Sequence, residues 1–166
     1  GELEQEFDLL GSVQNDVAEI VRRVVQIKRP DAQSKGLKLE ADVSEDLPGV
    51  LLHEYFLIDA LQRLIDNAIK FTREEGKTIR VIAYTKDNHV KIAVNDQGVG
   101  ISEDQVSLLF ERFRQINRDK MEQQGTGMGL VIAQSLVNCM NGTISVESAP
   151  GEGSTFTIEL PIAEGT

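Results

Sequence analysis

Cysteine is almost absent from this sequence: Cys139 is the single one, so no internal disulfide can form. No combination of Cys and His has the spacing of a zinc site. Long apolar runs are also missing, since none approaches the ~18 to 20 residues that a membrane-spanning helix needs. The opening segment GELEQEFDLL lacks the basic start and apolar centre of a signal peptide. These absences predict a globular protein of a reducing, cytoplasmic compartment, without direct membrane contact.

Positive charge is scarce as well. The chain has 17 Lys and Arg against 27 Asp and Glu, which gives a net charge of -10. Such a field repels nucleic acid and anionic membranes, so neither is expected as a primary partner. It also repels nucleotide phosphates, so a nucleotide site here would need a local cation and focused phosphate donors. The 166 residues fit one domain, and the start at Gly1 suggests a fragment of a larger protein.

Apolar periodicity predicts both helices and strands in this chain. The expected order is helix 13–27, strand 37–43, helix 54–72, strands 78–85 and 90–94, a short helix near 106–113, helix 128–141, and a closing hairpin of strands 143–147 and 154–160. This order predicts an α/β (α+β) two-layer sandwich, with the helices on one face of a mixed sheet.

Four side chains share one face of the helix expected over 54–72, beside its apolar stripe: Arg63, Asn67, Lys70 and Phe71. An amide oxygen, an ammonium and an aromatic edge in this alignment suit a metal ion, a phosphate, and a base or sugar. A solvated helix face is the plainer interpretation, and Phe71, nearest the stripe, is typical of a core residue. The spacing alone leaves these alternatives open.

Asp96 follows an apolar strand and precedes two alternate glycines, Gly98 and Gly100. Glycines let a ligand approach the backbone closely, and the carboxylate beside them suits an exocyclic amine such as that of adenine. A plain Asx turn, with glycines at positive φ, explains the same residues.

A second glycine-rich turn, Gly125-Thr126-Gly127-Met128-Gly129-Leu130, opens the helix expected over 128–141. The N–H groups and the dipole at a helix N-terminus suit phosphate. The turn is not a P-loop, because no Gly-Lys-Ser/Thr follows, and Leu130 replaces the third glycine of a dinucleotide fingerprint. A last turn over 151–156 needs no function as a hairpin, and its hydroxyls matter only if they meet the Asp96 turn.

Together and in this order, the motifs resemble those of the GHKL superfamily, specifically the catalytic domain of sensor histidine kinases. The similar segments are the N box LQRLIDNAIKFT (61–72), the glycine box DQGVGI (96–101), the F box LFERFRQ (109–115), the glycine box GTGMGL (125–130) and the last glycine motif (151–156). The resemblance covers about residues 7–161. It implies a Bergerat ATP-binding fold, with ATP and Mg²⁺ held between the layers.

The resemblance also implies roles for individual residues. Asn67 would coordinate Mg²⁺ and Lys70 would reach the phosphate chain, which makes both catalytic. Asp96 would accept a hydrogen bond from the adenine amine, with Thr155 and a water completing base recognition. Further nucleotide contacts are implied for Phe71, Gly98, Gly100, Ile101, Gly125, Thr126, Gly127, Gly129 and Leu130.

Two departures from the family pattern bear on activity. Arg63 stands where the family usually has a second Asn, and Leu52-His53 replaces the Gly-Asp that often precedes the N-box helix. Arg63 would pair with phosphate, with Asp59 or with Asp66. A guanidinium cannot be the base that activates water in the superfamily's ATPases, which favours histidine phosphorylation over hydrolysis.

The resemblance further implies an ATP lid over about 102–124, with Phe110 and Phe113 anchoring it or docking the partner domain. Neither His53 nor His89 has the surroundings of a phosphoacceptor, so that histidine is expected on a dimerisation domain absent from this chain. Residues 1–166 are therefore expected to form one monomeric catalytic domain. It would donate the γ-phosphate of ATP to that domain, with a response regulator downstream.

Two alternatives remain. One is a degenerate domain that senses nucleotide and regulates a partner without phosphotransfer. The other is an interaction module in which the glycine turns are only structural. The parent protein is expected to be either soluble or membrane-anchored.

Overall fold

The computed structural model describes residues 14–72, 74–98 and 127–162, with the backbone alone at 14, 15, 127 and 128. Its elements are β1 (Gln14–Asn15), α1 (Val17–Ser34), β2 (Lys38–Val43), β3 (Val50–Leu51), α2 (Glu54–Phe71), β4 (Thr78–Lys86), β5 (His89–Asp96), α3 (Gly127–Cys139), β6 (Thr143–Ser148) and β7 (Ser154–Pro161). The short helix predicted near 106–113 lies outside the described residues.

Five strands form one mixed sheet in the order β2-β4-β5-β7-β6. β2 runs parallel to β4, whereas all the other neighbours are antiparallel. The turn between β4 and β5 consists of Asp87 and Asn88, both at positive φ (52° and 62°), as tight hairpins require. A separate small ladder pairs β1 with β3. The predicted mixed sheet is confirmed.

The helices lie on one face of this sheet. α1 packs on β2 and α2, α2 also packs on β5 and α3, and α3 packs on β6. Because side chains alternate along a strand, each central strand gives every second residue to the core. The buried apolar residues of β4, β5 and β7 that face the helices are Ile79, Val81, Ala83, Val90, Ile92, Val94, Phe156, Ile158 and Leu160. The two-layer sandwich predicted from the sequence is therefore confirmed.

The α2 helix forms as its apolar periodicity predicts, and the whole stripe is buried: Leu57, Leu61, Leu64, Ile65 and Ala68. α1 begins where the Asp16 carboxylate caps it, accepting a hydrogen bond from the Glu19 N–H at 3.3 Å. It continues past its predicted end at Ile27, which is 51% exposed, to Ser34. Pro30 lies within this added stretch, where Ala32 alone is buried, so neither periodicity nor composition indicated it.

None of the helices within the described residues is both long and apolar enough to cross a membrane.

Candidate functional site

Asn67 is a polar residue of α2 that the fold buries, with 5% of its surface exposed. Neither its amide oxygen nor its amide nitrogen has a hydrogen-bond partner among the described residues. An unpaired buried amide costs roughly 1–3 kcal/mol. Because this group lies beside the apolar stripe of α2, a ligand that bonds to it would remove that cost, which makes Asn67 a candidate for ligand binding.

Asp96 ends β5 and is 2% exposed. Its Oδ1 accepts hydrogen bonds from the N–H groups of Gly98 (2.9 Å) and Ser154 (3.2 Å). Its Oδ2 has no partner within the described part of the chain. Burial raises the pKa of the carboxyl, and the two N–H bonds offset only part of that rise. The carboxyl thus has one oxygen fixed by the backbone and one available to a ligand.

Two glycines hold the Asp96 turn against its neighbours. A Cβ on Gly98 would lie 2.4 Å from the carbonyl oxygen of Phe71, and one on Gly153 would lie 2.3 Å from the carbonyl oxygen of Asp96. Gly153 also has a φ of +76°, which disfavours any other residue. Phe71 follows Asn67 by about one helical turn, so the first contact joins the Asp96 turn to the end of α2 that carries Asn67.

Thr155 does not lie beside Asp96, although base recognition was predicted for it. Its hydroxyl accepts a hydrogen bond from the Asn95 amide at 2.7 Å. Because side chains alternate along β5, both Asn95 and Thr155 lie on the sheet face opposite Asp96. Ser154 pairs with Asp96 instead. The alternation in STFTIEL could have indicated Ser154, because it places Ser154 on the same strand face as the apolar Phe156.

Gln97 is a second residue that the sequence analysis missed. Its side-chain oxygen accepts a hydrogen bond from the N–H of Thr78 at 3.0 Å, which ties the Asp96 turn to the first residue of β4. No sequence signal indicated this contact, because it depends on how two strands meet.

Arg63 is engaged in the structure by an acidic neighbour. Its Nε donates to Oδ1 of Asp59 at 2.9 Å, one turn earlier on α2. Asp66, the other acidic partner considered, pairs with Lys28 of α1 at 2.6 Å. Both members of the Arg63 pair are partly exposed, so the pair adds at most about 1 kcal/mol to stability.

The other predicted contacts on α2 and α3 are described in part. Lys70 is exposed in the last turn of α2, and Phe71 is half-buried, so it is not the core residue that its spacing suggested. Leu130 is 1% exposed and belongs to the core, and a Cβ on Gly129 would have no described atom within 4 Å. Gly127 begins α3. Predicted positions outside the described residues are Gly100, Ile101, Gly125, Thr126, Phe110, Phe113 and the lid at 102–124.

The two unpaired groups suit different ligand atoms. The Asn67 amide oxygen is a hard neutral oxygen, the kind of ligand that Mg²⁺ takes together with waters and phosphate oxygens. Within the described residues no group of three His, Cys, Asp or Glu could hold a metal by itself. A cation at Asn67 would therefore take other ligands from a bound phosphate and from water. The Asp96 carboxylate, by contrast, suits an N–H donor.

Residues 53–164 match the family model described as "Histidine kinase-, DNA gyrase B-, and HSP90-like ATPase". The adaptive-response sensory kinase SasA of Crocosphaera subtropica is 38% identical over 128 residues, which make up 77% of this chain and 33% of that relative. The sensor histidine kinase GacS of Pseudomonas protegens is 37% identical over 159 residues, 92% of this chain and 17% of that relative. The chain thus spans a third or less of the length of these curated relatives.

Solved structures agree with the fold. A crystal structure of full-length ShkA in complex with AMPPNP is similar at a TM-score of 0.75 and 29% identity, covering 91% of this chain and 31% of ShkA. A mycobacterial sensor histidine kinase, MprB, is similar at a TM-score of 0.73 and 27% identity, covering 90% and 97%. The chain therefore belongs to the histidine kinase-, DNA gyrase B- and HSP90-like ATPase family, and its relatives there are sensor histidine kinases.

Proposed function

We propose that this chain binds Mg-ATP and donates the γ-phosphate to a histidine on a separate dimerisation domain of the same kinase, ahead of a response regulator. The chain would then be one catalytic domain that works in the cytoplasm. The observation that carries the proposal is the pair of buried polar groups without partners in the described residues, the Asn67 amide and the Asp96 Oδ2. The ATP analogue bound in the ShkA structure supports a nucleotide as the ligand.

The proposed binding mode assigns the two ends of the site to the two ends of ATP. Asp96 accepts a hydrogen bond from the amine of adenine. The Asn67 oxygen and Lys70, whose role the family resemblance implies, bind at the phosphate end. Mg²⁺ bound there would neutralise charge that develops on the phosphate oxygens. The contact between Gly98 and Phe71 supports this mode, because it sets the base-binding turn at a fixed position relative to the helix of Asn67.

In the proposed reaction the chain supplies orientation and charge, and the incoming histidine supplies the nucleophile. An imidazole nitrogen attacks the γ-phosphorus, the bond from phosphorus to the β,γ-bridging oxygen breaks, and ADP leaves. Neutral imidazole needs no strong base, which fits a site where Arg63 stands one turn before Asn67. Because Arg63 is cationic and bonded to Asp59, it cannot activate water for hydrolysis.

A direct test supplies the chain with radiolabelled Mg-ATP and the separately produced dimerisation domain of its parent kinase. Label should appear on the histidine of that domain, and only with Mg²⁺ present. Asn67→Ala should remove both Mg-dependent binding and transfer. Asn138→Ala is the matched control, because Asn138 is an exposed asparagine of α3.

The other outcomes distinguish the alternatives. Tight Mg-ATP binding with no phosphate transfer to the cognate domain would favour the nucleotide-sensing domain. Phosphate transfer that appears only in the Arg63→Asn variant would favour it further. Release of labelled phosphate to water at comparable rates would make the chain an ATPase. No ATP or ADP binding by calorimetry would leave only the interaction module.

A further inference from the structure

Three polar side chains form a row across one end of the sheet. Asp96 ends β5, Ser154 begins β7 and Ser148 ends β6, and the strand registers pair Asp96 with Ser154 and Ser154 with Ser148. Equal register places all three on the sheet face that packs against the helices. Asp96 is 2% and Ser154 is 4% exposed, while Ser148 is half-buried.

The direction of the hydrogen bonds along this row follows from counting protons. A serine hydroxyl has one proton to donate. The Ser148 hydroxyl donates to the carbonyl oxygen of Gly153 at 3.1 Å, and a carbonyl can only accept. The geometry of the 2.7 Å contact between the two serine hydroxyls allows either to donate, and with the Ser148 proton on Gly153 we assign Ser154 as the donor. Its own proton is directed to Ser148, and its oxygen keeps lone pairs for other groups.

The row consequently offers hydrogen-bond acceptors to a ligand. The Asp96 carboxylate is an acceptor when ionised, and its Oδ2 has no partner within the described residues. Ser154 contributes lone pairs instead of a proton. A purine edge with an amino group matches these acceptors, whereas an edge with a carbonyl oxygen at the same place meets lone pairs only.

We infer that Ser148 is a positioning residue that holds the Ser154 hydroxyl as an acceptor and so favours 6-aminopurine over 6-oxopurine nucleotides. The inference rests on the proposed function, because it concerns the base end of the proposed nucleotide site. Without the Ser148 hydroxyl, Ser154 loses the acceptor for its proton. The freed proton can then turn toward the ligand and be donated to a 6-oxo group.

The test measures the dissociation constants of Mg-ATP and Mg-ITP for the chain and its variants by calorimetry. Wild type should prefer ATP. The ratio of the Mg-ITP to the Mg-ATP dissociation constant should be about three- to tenfold lower in Ser148→Ala than in wild type. This change corresponds to the contribution of one neutral hydrogen bond. Ser148→Thr keeps the hydroxyl and should keep the ratio. Ser145→Ala is the matched control on β6, because Ser145 is exposed on the opposite face.

If Ser148→Ala does not fold, as judged by thermal melting, Ser148→Cys gives the same test, because a thiol sulfur is only a weak acceptor for the Ser154 proton. An unchanged ratio in a folded Ser148→Ala or Ser148→Cys variant overturns the inference while leaving ATP binding intact. Equal loss of both nucleotides, with the ratio preserved, also overturns it, because Ser148 would then only support the Gly153 loop. If wild type binds neither nucleotide, the proposed function fails first.

Discussion

Replacing Asp96 with Asn should weaken ATP binding and stabilise the nucleotide-free protein at the same time. Asn retains an oxygen at the Oδ1 position, so it can still accept from the N–H groups of Gly98 and Ser154. What changes is the other position, where an ionised oxygen without a described partner becomes a neutral NH₂ group. The substitution therefore removes a buried charge without removing the turn.

The two effects have different sizes. A hydrogen bond to a charged acceptor is worth about 1.5–3 kcal/mol, and an NH₂ group facing the adenine amine adds an unmade bond. Together they predict a loss of about 2–4 kcal/mol, or roughly 30- to 1,000-fold in Kd. Without nucleotide, an unpaired NH₂ costs less than an unpaired carboxylate oxygen, which favours the variant by on the order of 1 kcal/mol. In a chain of this length that raises Tm by about 2–4 °C.

The sign of the pH dependence follows from the raised pKa of Asp96. A pKa raised by folding means that stability is lost as pH rises through the folded value and is fully present below the unfolded one. The advantage of Asn over Asp should therefore be largest at neutral pH and should vanish in acid, below the ordinary pKa of aspartate.

Thermal melting with and without Mg-ATP, together with calorimetric titration, measures both effects. Asp87→Asn is the matched control, because Asp87 is exposed in the β4–β5 turn, where Asn tolerates its positive φ. A lower Tm for nucleotide-free Asp96→Asn at neutral pH would refute the reasoning about the buried charge. Undiminished ATP affinity would refute the assignment of Asp96 to the base.

Three further predictions follow from the same site. Gly98→Ala should lower the free energy of unfolding in urea by about 1–3 kcal/mol and weaken ATP binding, because its Cβ would meet the Phe71 carbonyl oxygen. Gly129→Ala is the control and should not destabilise α3, because no described atom lies within 4 Å of its Cβ. Asn67→Leu should raise nucleotide-free stability by about 1 kcal/mol in the same assay while abolishing Mg-dependent binding, since it removes an unpaired buried amide; lower stability would show that the amide has partners. ATP affinity of wild type should fall as pH drops through the raised pKa of Asp96, and a flat calorimetric pH profile would contradict the acceptor role.

The sequence predicted those parts of the fold in which the local pattern and the tertiary structure agree. The apolar stripe of α2 could be predicted because helical periodicity acts within a few residues. The pairing of β1 with β3 could not, since two-residue strands carry no periodic signal. The last residues of α1, from Lys28 to Ser34, were not predicted either, because Ala32 is the one buried residue there and gives no apolar periodicity.

In the candidate site, too, motifs could be identified from the sequence, whereas contacts between strands could not. Asn67 and Asp96 were identified from motif order, and their burial accords with a binding role. The assignment of Thr155 depended on which face of β7 meets Asp96, and this is a property of register between two strands. The row from Asp96 to Ser148 and the contact of Gln97 with Thr78 likewise exist only once the strands are assembled.

The parallel pairing of β2 with β4 also bears on how the fold opens. The chain between Lys38 and its β4 partner Thr78 includes all of α2, whereas β4 and β5 are joined by a two-residue turn. β2 has a single neighbour in the described sheet, whereas β5 has two. Closing the longer loop costs more chain entropy, so α1 and β2 should detach before the central strands do. Amide hydrogens of β2 should therefore exchange faster than those of β5, and partial unfolding would begin at the edge farthest along the sheet from Ser148.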